Sequence, residues 1–258
     1  MPPRASSTKP TPAPCRNARR TRRRKPVSSS PAPWPAVADR GTYNDQVFDT
    51  NRTEAFSDGV LAIAITLLVL DLSVPVRGEL HGSLAHALAR EWPAYGSYVT
   101  SFLIIGIIWV NHHAVFELIG RVDRIAMFLN LVLLMTVVTI PYTTHLLATY
   151  LTAGSGARTA AIVYSAVMVA MSCAFAGLYA YIAHRPALLA DGVDPVAVKA
   201  SIVRFSAVGL VLYVATVVVA IFSAPLCLLA HFAIALYYCF SQIRTASAAD
   251  PRQSPRET

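Results

Sequence analysis

Six stretches of this chain are predominantly apolar over about twenty residues, approximately 52–74, 95–116, 125–149, 159–182, 202–223 and 225–243. A helix needs roughly 20 apolar residues to cross about 30 Å of hydrocarbon. In lipid, every backbone amide and carbonyl must find its partner within the protein, which a helix does along its own length. Six such runs in 258 residues therefore predict an all-α, polytopic membrane protein with six transmembrane helices per chain. Composition supports this: 55% of residues are hydrophobic and 14% charged, with a mean hydropathy of +0.49, a balance foreign to soluble domains.

The flanks differ in kind. Residues 1–45 are rich in Pro, Ser, Ala and Arg and include the basic run "RNARRTRRRKP". Such a segment buries too little apolar surface to offset its ordering entropy and is expected to be disordered. Residues 46–244 form the membrane domain, and 245–258 a second disordered tail. Net charge is +8, but ten of the 22 Lys and Arg precede Asn51, so the expected partner of the basic tail is anionic lipid and not nucleic acid. No apolar core and cleavage site follow that run in the manner of a secretory signal. With the N-terminus inside, the inner segments hold the tail together with Arg121, Arg124, Arg185, Lys199, Arg244, Arg252 and Arg256. The outer loops hold Arg77, Arg90 and Arg158. This asymmetry places both termini in the cytoplasm and Asp71 outside.

Punctuation is clear at several ends. Pro75 and Gly78 close the first run, and "WPAYGSY" opens the second with Trp92, Tyr95 and Tyr98 at interface depth. The fifth and sixth runs are separated by a turn around Pro225, which predicts an antiparallel hairpin. Ala166, Ala170 and Ala174 recur on one face of the fourth, a spacing that admits close helix approach. No repeat between the halves suggests an inverted-repeat transporter.

The first run, "NRTEAFSDGVLAIAITLLVLDLSVP", has two faces. At 100° per residue, Gly59, Ile63, Thr66, Leu67 and Leu70 share a stripe about 100° wide, and Asp58 lies about 130° from its centre. A carboxylate facing lipid would cost at least a few kcal/mol, so Asp58 must be satisfied by protein. "FLIIGIIWVNHHAVFE" on an antiparallel second helix brings Trp109, Asn111, His112, His113 and Glu117 to the same depth. A hydrogen-bonded network joining Ser57 and Asp58 to Trp109 and His112 is expected. Thr66 within the stripe can bond a carbonyl of its own helix.

Little suggests catalysis or a cofactor. His113 and Glu117 stand i, i+4, but two ligands without an HExxH motif or a carboxylate cluster do not specify a metal. Cys15, Cys173, Cys227 and Cys239 show no paired spacing and are expected to act as buried small hydrophobes. No serine or cysteine constellation or phosphate loop points to an enzyme.

The residues "RTEAFSDGVLAIAITLLVLDL" resemble the R-x-x-x-F-S-D signature on the first helix of the transmembrane protein 175 family, potassium channels of endosomes and lysosomes with bacterial relatives. The similarity continues through "FLIIGIIWVNHHAVF" and "LNLVLLMTVVTIPYTTHLL". The resemblance implies a homotetramer of six-helix chains of the bacterial kind, in the cell membrane, with the first helix of each copy lining a central pore. It makes Ile63, Leu67 and Leu70 the apolar constrictions and Thr66 the residue bearing on potassium preference. Arg52, Phe56, Ser57 and Asp58, with Trp109 and His112, become the network that fastens helix one. Asp71, repeated around the outer mouth, would concentrate cations.

Two functions of different kind follow. The first is a potassium-preferring cation channel, also permeable to protons, with constriction, dehydration and nearby hydroxyls in place of a carbonyl filter. The second is a proton-coupled secondary transporter that uses Asp58 and His112 as a relay.

Overall fold

A computed structural model describes residues 50–75 and 83–248, except for the side chains of 197, 201–206 and 241–248. The expected tail over 1–45 and residues 249–258 lie outside the described residues. Residues 245–248 continue the last helix.

The described chain is helical throughout. It comprises α1 (Thr50–Leu67), α2 (Leu84–Arg90), α3 (Trp92–Phe116), α4 (Arg124–Val138), α5 (Ile140–Tyr150), α6 (Ser155–Ala183), α7 (Pro195–Phe222) and α8 (Ala224–Ala248). Short 3-10 turns cover Leu68–Asp71 and Pro186–Leu188. Four stretches are long and apolar enough to cross a membrane: Thr50–Asp71, Trp92–Phe116, Arg124–Tyr150 and Ser155–Ala183. The fifth and sixth expected runs lie on α7 and α8, where the described apolar stretches Ala207–Phe222 and Ala224–Phe240 are shorter.

Local chemistry sets the boundaries. α1 tightens into the Leu68–Asp71 turn and ends where Leu72 turns extended (φ −81°, ψ 104°), ahead of Pro75. Asp123 caps α4 by accepting from the Ala126 amide at 2.8 Å. Asp194 caps α7 through the Val196 amide at 2.9 Å, with Pro195 in the first turn where no amide is missed. α6 starts from Gly154, whose φ of 63° suits glycine.

Two features depart from the sequence expectation. The third run is not one uninterrupted helix: it breaks at Thr139, between α4 and α5. Pro141 has no amide to offer the carbonyl one turn back, and the hydroxyls of Thr136 and Thr139 bond Leu133 O and Met135 O at 2.7 and 2.9 Å. The segment before α3 contains α2, a two-turn helix capped by Ser83.

Packing without a hydrophobic drive between helices leans on close contact and polar ties. The core joins Leu61, Ala64 and Leu68 of α1 to Ile104, Ile105 and Ile108 of α3, Leu133 and Val137 of α4, and Met168 of α6. Inside it, Ser101 bridges Thr144 at 2.7 Å and Tyr164 at 2.9 Å. Because Thr144 donates to Ile140 O, the order of donation runs from Tyr164 to Ser101 to Thr144. His231, fully buried in α8, bonds Cys227 O at 2.9 Å and lies 3.2 Å from the Thr216 hydroxyl on α7. The α7–α8 turn is as tight as expected, with Ser223 alone between the helices.

The loops after α3 and α6 clasp each other. Ile119 and Leu189 form an isolated β-bridge, Gly120 and Arg121 amides donate to Leu188 O, and Ala190 donates to Leu118 O. A Cβ on Gly120 would meet the Ala190 backbone at 3.2 Å, so a larger residue here would press the two loops slightly apart. Cys227 is buried, but Cys173 is exposed on the chain and Cys239 half-buried. Cys173 corrects the expectation of burial: it lies on the outward face of α6 with Ala166 and Ala170, where a small apolar group needs no protein cover in lipid.

Candidate pore helix and its polar anchor

α1 divides along its length into two faces. Ser57, Leu61, Ala64 and Leu68 are buried at alternating steps of four and three, while Phe56, Gly59, Ile63, Thr66, Leu67 and Leu70 are exposed. Ile63, within α1, is 60% exposed, and Leu70, in the turn that ends it, 75%. The Thr66 hydroxyl donates to Ile63 O at 2.8 Å, so its proton is spent inside the helix and its lone pairs face outward. A Cβ at Gly59 would meet nothing within 4 Å.

The opposite face is anchored by polar groups. Trp109 Nε1 of α3 donates to Asp58 Oδ1 at 3.0 Å. Ser57 donates to Thr53 O at 2.9 Å and accepts from Asn130 Nδ2 of α4 at 2.8 Å. Asn130 Oδ1 in turn lies 2.9 Å from His112 Nε2. Since the amide oxygen can only accept, His112 carries its proton on Nε2, and its ring stacks on Phe116 at 4.3 Å. Three helices thus meet at Asn130, which is 1% exposed.

The structure brings Asp58 to Trp109, and Ser57 to His112 through Asn130. It does not join Asp58 directly to His112: the two sit on separate branches. Arg52 and Phe56 are exposed on the chain and take no part in these hydrogen bonds. His113 is drawn to Glu54 of α1 at 2.6 Å, with Glu117 at 3.5 Å on its other nitrogen. Among the described residues no group of three or more His, Cys, Asp or Glu is arranged to hold a metal.

Two partners escaped the sequence reading. Asn130 is a lone amide within the run "MFLNLVLL", and polarity in an apolar helix was the available signal. His145 of α5 stands 3.4 Å from Asp71 at the other end of α1; nothing in sequence spacing links positions 71 and 145.

An all-α bundle of apolar spans, with one helix tied by buried polar groups on one face and bare aliphatic on the other, defines an integral membrane protein built around α1. The family model described as endosomal/lysosomal potassium channel TMEM175 matches residues 52–141, which contain every member of the anchor. A protein of Streptomyces collinus named a potassium channel is 50% identical over 205 residues, covering 79% of this chain and 98% of that protein. The crystal structure of a lysosomal potassium-selective channel TMEM175 homologue from Chamaesiphon minutus superposes with a TM-score of 0.67 at 36% identity, covering 74% of this chain and 97% of the other. The endosomal/lysosomal proton channel TMEM175 of Gallus gallus is 41% identical over 96 residues, 34% of this chain but 19% of that longer protein. The chain belongs to the TMEM175 family.

Proposed function

We propose that this protein is a potassium-preferring cation channel in which four copies turn the exposed stripe of α1 to a common axis. The observation that carries this is the two-faced α1: its aliphatic stripe is left exposed by its own chain, while its polar face is held by α3 and α4. Relatives named as potassium channels supply the ion.

Ile63, Leu67 and Leu70 form stacked apolar rings that strip or exclude water, and Thr66 places a ring of hydroxyl oxygens between them. The anchor residues Ser57, Asp58, Trp109, Asn130 and His112 hold α1 at the angle the rings require, with Arg52 and Phe56 beside them on the exposed surface of the chain. Protons also pass, as the names of the animal relatives would suggest. The channel sits in the cell membrane with both termini in the cytoplasm, and its basic tail rests on anionic lipid.

Potassium currents from purified protein in planar bilayers test the proposal. A current down the potassium gradient without a proton gradient supports it; strict dependence on a proton gradient overturns it. Thr66→Ala is expected to change the potassium-to-sodium permeability ratio by roughly two- to five-fold, a difference between the two ions of about 0.5–1 kcal/mol summed over the ring, the scale of one net hydrogen bond; an unchanged reversal potential removes Thr66 from selectivity. Asp58→Asn keeps an oxygen for Trp109 and is expected to preserve selectivity while lowering the yield of assembled protein. Normal assembly with lost proton coupling would instead favour the transporter.

A further inference from the structure

The clasp between the loops after α3 and α6 gathers basic side chains from distant parts of the sequence. The Arg121 amide donates to Leu188 O at 3.3 Å, and the Leu188 amide donates to Arg185 O at 2.9 Å. The Arg185 guanidinium lies 5.3 Å from the centre of the Tyr181 ring, and the Tyr181 hydroxyl donates to Asp123 Oδ2, next to Arg124. Arg121, Arg124 and Arg185 thus surround one clasp, although all of α4, α5 and α6 separate the first two from the third.

Acids stand nearby, and how each is engaged decides the balance. Asp123 and Asp194 cap α4 and α7 through the Ala126 and Val196 amides, where the positive helix ends offset part of their charge. Glu117 lies 3.5 Å from His113. Asp191, exposed beside the turn at Gly192, is the acid left to oppose the arginines. Arg121 and Arg185 are exposed, and neither has a carboxylate within ion-pair distance among the described residues.

Depth selects the partner. The spans Trp92–Phe116, Arg124–Tyr150 and Ser155–Ala183 all begin or end at this clasp, so its arginines lie where hydrocarbon gives way to lipid headgroups. A guanidinium offers a planar fork that matches two phosphate oxygens, and phospholipid is the phosphate carrier concentrated at that depth. We propose that Arg121 and Arg185, with Arg124 beside them, form a site for the phosphodiester headgroup of an anionic phospholipid. The site is separate from the basic N-terminal tail and independent of the pore assignment for α1.

The test is binding of phosphatidylglycerol and of phosphatidylcholine with the same acyl chains, each titrated into the full chain in detergent and counted by native mass spectrometry. Wild type is expected to bind phosphatidylglycerol about five-fold or more tightly than phosphatidylcholine, the scale of one basic contact at a membrane surface. Arg121→Gln and Arg185→Gln should each weaken phosphatidylglycerol binding by roughly two- to five-fold. Together they should remove the preference and leave phosphatidylcholine binding unchanged. Arg158→Gln, at the opposite end of α6, should behave as wild type, and Asp191→Asn should bind phosphatidylglycerol at least as tightly. Equal affinity of wild type for the two lipids overturns the proposal. The tail is the same in every variant, so a preference that survives the double substitution assigns it elsewhere and also overturns the site. So does a preference lost in Arg158→Gln, weaker binding by Asp191→Asn, or full competition by inorganic phosphate at equal concentration, which would mark a site for a soluble anion. Should Arg185→Gln fail to fold without its contact to Tyr181, Arg121→Gln decides alone: weaker phosphatidylglycerol binding supports the proposal and wild-type binding overturns it.

Discussion

Potassium current through the assembled protein is expected to rise about ten-fold or more when Ile63 is replaced by Asn. Ile63 is 60% exposed on the chain and belongs to the face of α1 opposite the buried Ser57, Leu61, Ala64 and Leu68, so the substitution leaves the seat of the helix intact. In a tetramer it converts a whole ring of branched aliphatic groups into a ring of amides able to hold water. A hydrophobic constriction resists ions because water leaves it, and lowering that barrier by only about 1.4 kcal/mol is a ten-fold change in rate. The measurement is single-channel or macroscopic current at matched protein density, with subunit count checked in detergent. Unchanged current in properly assembled protein would mean that Ile63 faces lipid or another helix, and that the axis of the pore lies elsewhere.

The second large effect falls on stability. Asn130→Ala is expected to lower the thermal unfolding midpoint in detergent by roughly 5–10 °C, from a loss of about 2–3 kcal/mol. Asn130 donates to Ser57 and accepts from His112, so its removal breaks two ties and strands the buried His112 Nε2 proton. Ser57→Ala should cost less, about 1 kcal/mol, because it leaves the Asn130–His112 bond in place. A midpoint for Asn130→Ala within 2 °C of wild type, by the same measure, would show that α1 is held by apolar packing alone. The two substitutions separate the two faces of α1: Ile63→Asn should change current with little change in stability, and Asn130→Ala should do the reverse.

Much of α1 could be read before any coordinates. Its stripe and its charged entrance follow from 100° per residue, and the exposed residues Gly59, Ile63, Thr66, Leu67 and Leu70 are the ones that angle groups together. The break in the third run was not anticipated, although Pro141 cannot donate within a helix. The short helix α2 carried a weaker signal, a serine before an alanine-rich segment.

What the sequence by itself determined is the number of apolar runs, the helical class and which side of α1 carries the polar groups, because hydropathy and helical angle depend on near neighbours in the chain. Which groups those polar residues meet was settled by tertiary structure. Ser57 and Asn130 are 73 positions apart, and Asp71 finds His145 on a helix reached only through α3 and α4. Helix order and rotation bring these residues together, and in lipid every span must bring its polar groups to a partner. Local pattern states that need for Asp58, Ser57 and His112, and only the packed bundle names Trp109 for the first and Asn130 for the other two.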